Sequence, residues 1–388
     1  MKEFYADLHI HNGRTSNGRA VKITGSKTLT LARILETASA RKGLDIIGII
    51  DCHSPEVIDE MVKMIDQGEL KELSKGGLRY QETTLILGTE IEIYDQCCHG
   101  PIHVLVYFPT LMLMKQFSNW MSQHMKNIHL SSQRIYCDGR TLQQKVHELK
   151  GIFIPAHVFT PFKSLFGKGV RSSLAEVFDP QLIDAIELGL SSDTNMVSHI
   201  KELQAYTFVS NSDAHSLGKL AREYQRLQLA EANFAELKMA LHEQQGRMVT
   251  ANYGLNPLLG KYHRTVCAKC GEQLGDEATL CTNCKSTQII KGVATRIQEL
   301  SEDFQNERNR PPYIHQIPLD FIPGIGPKTM ERLIEAFDTE MNILHRVTIE
   351  QLEQVVPYKI AKLIELARTG QLAIEIGGGG IYGKIQIE

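Results

Sequence analysis

FYADLHIH (Phe4–His11) decides how this chain is read: it is a largely apolar run in which Asp7, His9 and His11 occupy alternate positions. Alternate side chains of a strand point to the same face, so the three are expected to converge on one site. A lone His-x-His is weak evidence, because 15 histidines in 388 residues produce about 0.6 such pairs by chance. Repetition strengthens the signal. DIIGIIDCH ends on Asp51 and His53, TLILGTE on Glu90, GIFIPAH on His157 and TFVSNSDAH on Asp213 and His215, while HVLVYF begins on His103. Eight potential ligands, His9, His11, His53, Glu90, His103, His157, Asp213 and His215, thus stand at the ends of apolar runs in six segments.

Between these runs lie helix-like stretches such as TLTLARILETASARKG (Thr28–Gly43). Short β-branched runs alternating with helices read as parallel strands with crossover helices, an α/β barrel whose functional groups gather at the C-terminal strand ends. His103 breaks that rule, since it opens its run. The bland alternative, half-buried histidines and strand-terminal carboxylates, holds for any one of these residues but requires six segments to imitate one site independently.

DLHIH, the Asp-x-His of DCH, GTE, His103, PAH and SDAH resemble the successive motifs of the PHP (polymerase and histidinol phosphatase) family. The resemblance covers residues 1 to 255. It implies a distorted (β/α)7 barrel holding up to three divalent metals for phosphoester hydrolysis. Where some trinuclear members carry a further ligand after the first histidine pair, this chain has Asn17. Asp51 or water is then left to complete that metal position.

With 42% hydrophobic and 22% charged residues the composition is that of a soluble globular protein, long enough for two or three domains. No apolar run approaches the length of a membrane span, so a cytoplasmic, nucleoid-associated protein is expected. A net charge of −3 provides no global attraction for nucleic acid, leaving polyanion binding to local patches. Two stretches lack acids. Asn12–Lys27 holds Arg14, Arg19, Lys22 and Lys27, and Val158–Ser173 holds Lys163, Lys168 and Arg171. Both follow ligand-bearing strands, which places them at the mouth of the site as phosphate contacts rather than as plain solvated surface. Cys97 and Cys98, beside His99, read as small buried thiols in preference to a second metal site.

The boundaries expected are a barrel over 1–262, a cysteine module over 263–290, a charged connector over 291–316, a helical domain over 317–372 and a glycine-rich tail over 373–388. Cys267-x2-Cys270 and Cys281-x2-Cys284 supply four thiolates in two knuckles, the ligand set of a closed structural zinc site. A reducing compartment disfavours disulfides there. The connector, Val293–Arg310, is expected to be helical until Pro311-Pro312 ends it. FIPGIGPKTMERLIEAF (Phe321–Phe337) sets Gly324 and Gly326 before an amphipathic helix starting near Pro327, exposing backbone N–H groups as an anion site with Lys328 beside it. The segment resembles the helix-hairpin-helix family, which implies grip on the sugar-phosphate backbone without sequence reading. In the second half, Thr348–Ala367, Pro357-Tyr358 replaces the glycine hairpin. The tail glycines Gly377–Gly380 do not form a P-loop, having no Gly-Lys-Ser/Thr after them.

Barrel, four-cysteine module and helix-hairpin-helix, in that order and at this length, resemble the endonuclease Q family. That resemblance implies a DNA-repair endonuclease acting 5′ to uracil, hypoxanthine, xanthine or an abasic site. It also implies damaged DNA as partner, while the imidazole and carboxylate donors favour zinc or manganese in a cluster of two or three metals, with magnesium added alongside substrate. Within that chemistry His9, His11, Glu90 and Asp213 are the expected catalytic ligands, and Arg14 is expected to stabilise transition-state charge. Phe162 and Phe166 are candidates for a wedge that fills the stack vacated by an extruded nucleotide, and Asp193 for a pocket or metal residue. Rival readings are a PHP-type DNA exonuclease, a small-molecule phosphoesterase and a non-catalytic DNA-binding scaffold.

Overall fold

The ligand-bearing runs are strands of one barrel. In the computed structural model, which describes residues 1–260, 262–304, 308–372, 374–375 and 384–385, β1 (Lys2–Ile10), β2 (Ile46–Ile49) and β3 (Thr83–Ile93) are parallel neighbours. β4 (Ile102–Phe108) runs antiparallel to both β3 and β5 (Ile152–Pro155). The Val158 N–H then reaches the Glu187 carbonyl at 3.0 Å, joining the exit of β5 to β6 (Ile186–Glu187), which pairs in parallel with β7 (Phe208–Val209). The chain leaving β7 returns to β1 through a parallel bridge between Ala214 and Ile10. Seven strands therefore close the barrel, and β4 alone is reversed. This reversal accounts for His103: the start of an antiparallel strand lies at the same rim as the ends of its parallel neighbours.

Period-two alternation divides the interior into an apolar floor and a polar rim. Leu8, Ile46, Ile86, Leu105, Ile154 and Val209 belong to one buried cluster drawn from successive strands. Two or four residues further toward the rim, the same faces carry Glu90 on β3, His103 on β4, Glu187 on β6 and Asp213 beyond β7. The opposite faces, including Ile47, Leu87, Val106 and Phe153, pack under the outer helices, which is why the strands read as near-continuous apolar runs. The register of β1 on β2 shifts between Asp7 and Ile10. That bulge breaks the strict alternation on which the grouping of Asp7 with His9 and His11 rested.

Local chemistry sets the helix starts. Thr28–Gly43 becomes α1 (Leu31–Glu36) continued by a wider π-helical turn over Thr37–Lys42, ending where Gly43 adopts φ 75°. α2 (Pro55–Asp66) has proline in its first turn, where no hydrogen bond is lost. The Thr110 and Asp138 side chains accept N–H bonds at the starts of α3 (Leu111–Ser122) and α4 (Gly139–Glu148). Beyond the barrel, β8 (Tyr224–Leu229) pairs antiparallel with both β1 and β9 (Met248–Gly254), and α5 (Phe234–Leu241) lies between β8 and β9 in the chain.

Among the described residues the connector is helical only over α6 (Val293–Leu300), and β10 (Tyr313–His315) adds a parallel edge strand to β9. The expected helix to Arg310 is thus cut short, because the segment is recruited into the sheet and Arg310 is held against the Phe208 ring at 3.5 Å. α7 (Pro327–Phe337), α8 (Glu340–His345), α9 (Ile349–Glu353) and α10 (Tyr358–Arg368) form the helical domain. It is docked on the barrel. The Lys42 ammonium meets Glu340 at 2.8 Å with both side chains buried, and the His345 ring stacks on Tyr5 at 4.4 Å and bonds the Tyr224 hydroxyl at 2.6 Å. A Cβ on Gly43 would lie 2.4 Å from the Thr339 hydroxyl, so the close approach of the two domains requires glycine. Ile374–Glu375 and Lys384–Ile385 pair antiparallel, whereas Gly377–Gly380 lie outside the described residues. Among the described residues no helix is long and apolar enough to cross a membrane.

Candidate metal centre

Strand direction and parity bring seven of the eight expected ligands to one rim. Their ligand atoms form three overlapping groups, each with all atoms within 4.8 Å: His9, His11 and Glu90; Glu90, His103 and His157; His11, Asp213 and His215. Glu90 is common to the first two groups and His11 to the first and third. Such sharing makes the three groups one continuous cluster rather than three separate sites. The Nε2 atoms of His9 and His11 each stand 3.6 Å from Glu90 and 3.4 Å from Asp213. These two nitrogens are buried without a hydrogen-bond partner, whereas His103 turns Nδ1 to Glu90 at 2.7 Å and Nε2 away toward Glu92 at 3.8 Å. Buried polar atoms are ordinarily paired, so orphaned imidazole nitrogens converging on carboxylates fit a divalent cation.

The opposite ring nitrogens are held in place. His9 Nδ1 lies 3.0 Å from Glu187, and His11 Nδ1 lies 3.1 Å from Asp51. A carboxylate on one nitrogen fixes the tautomer and aims the other at a metal. Glu187 was missed in the sequence, where it stands inside the apolar run of DAIELGL directly after Ala185 and Ile186 rather than at its end. Asp51 is turned to His11 and to the Asn12 N–H (2.7 Å), which makes it a support for a ligand. The charge balance favours cations. Burial opposes a charge on His9, but the Glu187, Asp213 and Glu90 carboxylates push its pKa up to about 10. Glu90 is held well below the usual carboxylate range, His103 and Lys22 outweighing desolvation.

Four expected residues point elsewhere. His53 spends Nδ1 on the Thr89 hydroxyl (2.6 Å) and turns Nε2 to the Leu130 carbonyl (3.3 Å), and it joins none of the three groups. Asp7 accepts the N–H groups of Ser212 and Ala221 at 3.1 and 3.0 Å, a structural tie below the rim. Arg14 donates to the Gly18 carbonyl of its own loop at 2.8 Å, and Asn17 accepts from the Thr15 hydroxyl at 2.6 Å. Asp193 is buried against His315 of β10 at 2.9 Å, where it anchors the connector.

The centre opens into a cavity of about 310 Å³ whose walls include Lys22, Thr160, Phe162 and Lys163. Lys163 is exposed and paired with Glu92 at 2.9 Å, and Lys168 and Arg171 are exposed further along the same loop. The two wedge candidates part company. Phe162 is 46% exposed and sits edge-on to Tyr262, whereas Phe166 is fully buried and stacked on Phe159 at 5.3 Å. Phe166 is core because its position faces the barrel, as does that of Phe159. A second cavity of about 280 Å³ shares Thr160, Phe162 and Leu190 with the first and adds Leu255, Arg222 and Asn256.

Cys267, Cys270, Cys281 and Cys284 converge within 4.8 Å on a hairpin of Val266–Cys267 and Ile289–Ile290. The Cys267–Cys284 and Cys270–Cys281 sulfur separations, both 3.5 Å, exclude disulfides. They come close to the edge, about 3.8 Å, of a tetrahedron with metal–sulfur bonds of about 2.3 Å. Lys269 and Cys284 N–H groups donate to knuckle sulfurs, which favours thiolates. Cys98 is buried but Cys97 is exposed, contrary to expectation for the latter. In the helical domain Gly324 adopts φ 90°, α7 starts after Gly326, and Lys328 is exposed in its first turn.

No protein-family model matches the chain. It is 59% identical over 386 residues to the uncharacterised protein YqxK of Bacillus subtilis (strain 168), covering 100% of both chains. The crystal structure of the lesion-specific endonuclease PfuEndoQ from Pyrococcus furiosus superposes with a TM-score of 0.86 at 31% identity, covering 100% of this chain and 96% of that one. The crystal structure of an endonuclease Q in complex with a 27-mer duplex substrate with an abasic lesion at the active site gives 0.85 at 30% identity, covering 100% and 97%.

Proposed function

The chain belongs to the endonuclease Q family, and we propose on that footing that it is a metal-dependent DNA-repair endonuclease that nicks the phosphodiester bond 5′ to uracil, hypoxanthine, xanthine or an abasic site. One observation carries the reading: the full-length likeness to an endonuclease Q bound to a duplex with an abasic lesion at its active site. The converging ligands at the barrel rim support the chemistry.

In this reading His9, His11, Glu90, His103, His157, Asp213 and His215 hold two or three divalent ions, zinc or manganese by their donor types, with magnesium added alongside substrate. Such ions, when bound, lower the pKa of water and neutralise charge on phosphate oxygens. The side chains around them orient and bind. Glu187 and Asp51 hold the His9 and His11 rings; Lys163 stands at the cavity wall, able to exchange Glu92 for a phosphate oxygen; Lys168 and Arg171 extend that track. Gly324, Gly326 and Lys328 grip the backbone away from the cut, and the four cysteines hold a structural zinc.

A base inside the duplex hides its edges, so the damaged nucleotide must leave the stack. The second cavity, walled by Leu190 and Leu255, receives it, and Phe162 fills the gap. Deamination replaces an exocyclic amino donor by a carbonyl acceptor. Arg222 and Asn256 offer N–H donors that match that acceptor and oppose the amino groups of cytosine and adenine. An abasic nucleotide leaves the cavity empty and pays no unstacking cost. The protein works in the cytoplasm on nucleoid DNA.

The test is incubation with end-labelled duplexes that differ only in one central uracil, hypoxanthine, abasic site or normal base, with and without added magnesium or manganese. A metal-dependent nick 5′ to each lesion supports the reading, and cleavage of a covalently closed lesion-bearing circle separates it from an exonuclease. Digestion from ends, or phosphate release from small esters alone, would overturn it.

A further inference from the structure

Lys22 and Ser132 touch the ligand cluster without belonging to it. Lys22 Nζ lies 2.6 Å from Ser132 Oγ and 3.3 Å from Glu90 Oε2, and the Ser132 hydroxyl donates to that same oxygen. The other oxygen, Oε1, faces His103 Nδ1 at 2.7 Å and His157 Nε2 at 3.3 Å. Oε1 also faces His9 Nε2 at 3.6 Å, whereas Oε2 lies on the side of His11 Nε2 at 3.6 Å, so each oxygen has its own imidazole neighbours.

Both halves of this contact are built in. The Lys22 side chain is only 13% exposed, its N–H is bonded to the Asn12 carbonyl at 3.0 Å, and the Ser131 N–H is bonded to the Val21 carbonyl at 2.9 Å. Ser132 adopts φ 54°, a left-handed conformation that costs energy in any residue but glycine and persists only where surroundings enforce it. Next to it, Ser131 Oγ lies 3.2 Å from His11 Nδ1. The tip Ser131–Ser132 thus touches the two ligands, His11 and Glu90, that are common to more than one group.

We propose that Lys22 and Ser132 form a positioning clamp on Glu90 that assigns one carboxylate oxygen to each of two adjacent divalent ions and so couples them. This rests on the reading that the cluster binds at least two ions, and not on the identity of the DNA lesion. Lys22 acts through Glu90 and is a positioning residue.

The test uses the full-length protein loaded with Mn2+ as wild type, Lys22→Met, Lys22→Arg and Ser132→Ala. Low-temperature electron paramagnetic resonance of the wild type should show an exchange-coupled ion pair. Lys22→Met and Ser132→Ala should bind the same number of ions but give the six-line signal of isolated Mn2+, and Lys22→Arg should restore part of the coupling. Turnover at saturating metal should fall about 10- to 100-fold in Lys22→Met, while affinity for a cleavage-resistant phosphorothioate duplex changes less than about threefold. Retained coupling and turnover in both variants would overturn the clamp. So would an uncoupled wild type, or a loss of duplex affinity that matches the loss of turnover, which would make Lys22 a phosphate contact. Should no lesion be nicked by the wild type, turnover is read on bis(p-nitrophenyl) phosphate, and the spectra still decide.

Discussion

Replacing Glu187 by glutamine tests whether a carboxylate absent from the ligand set controls the centre. Glu187 Oε1 accepts from Asn211 Nδ2 at 2.8 Å, Oε2 accepts from the His157 N–H at 2.8 Å, and His9 Nδ1 approaches both at 3.0 and 3.2 Å. A glutamine has a single acceptor oxygen. With its amide nitrogen on the Oε2 side it confronts the His157 N–H, a backbone donor that cannot turn away. Flipped, it confronts Asn211, whose orientation is fixed because its own oxygen accepts the Leu8 N–H at 2.8 Å and Gln225 Nε2 at 3.2 Å. Either way one buried donor is left unpaired, at a cost of about 1–3 kcal/mol. His9 also loses the negative partner that orients its ring, which should weaken metal affinity or turnover about 10- to 100-fold. Urea denaturation of the metal-free protein reads the first quantity, and chelator-competition titration followed by metal-replete nicking reads the second. A Glu187→Gln protein matching the wild type in urea midpoint and in metal affinity would refute the reasoning.

Three further outcomes are expected. His53→Gln should keep the wild-type number of bound divalent ions, because both ring nitrogens of His53 are occupied by Thr89 and Leu130, whereas His11→Ala should lose metal; equal loss in both, measured by elemental analysis, would return His53 to the cluster. Phe162→Ala should impair cleavage of duplex substrates more than single strands at unchanged stability, while Phe166→Ala should destabilise the fold by about 3–5 kcal/mol, as truncation of a buried aromatic does; a nicking assay and urea titration separate the two, and equal impairment on both DNA forms would remove Phe162 as a wedge. Burial and the charges of Arg226, Arg368 and Arg346 hold His345 down to about 3, so the folded protein keeps it neutral where the unfolded chain, at about 6.5, takes a proton. The stability it contributes is complete above pH 6.5 and is lost as pH falls from there toward 3, at up to about 1.4 kcal/mol per pH unit. The urea midpoint should therefore drop between pH 7 and pH 5 in the wild type and drop less in His345→Gln; identical drops would show that docking through His345 is not the titrating contact.

What was legible in the linear chain was chemistry carried locally. Ligand residue types at the ends of apolar runs, two Cys-x2-Cys knuckles, and a Pro-Gly-x-Gly turn before an amphipathic helix each depend on neighbours a few positions away, and their identities survive any arrangement of the chain. They were sufficient to indicate a barrel with metal-ligand types gathered at one rim, a four-cysteine cluster and a glycine turn ahead of a C-terminal helix. What only tertiary structure decided was direction and partnership. The reversal of β4, which carries His103 to the common rim, follows from pairing with β3 and β5. The bulge in β1 separates Asp7 from the histidines it alternates with. His53 faces Thr89 rather than the centre, Phe166 stacks into the core while Phe162 four residues earlier does not, and Glu187 and Lys22 reach ligands 178 and 68 positions away. These choices are settled by which groups meet once seven strands close on one another, since burial penalises every unpaired polar atom and only the assembled barrel supplies the partners.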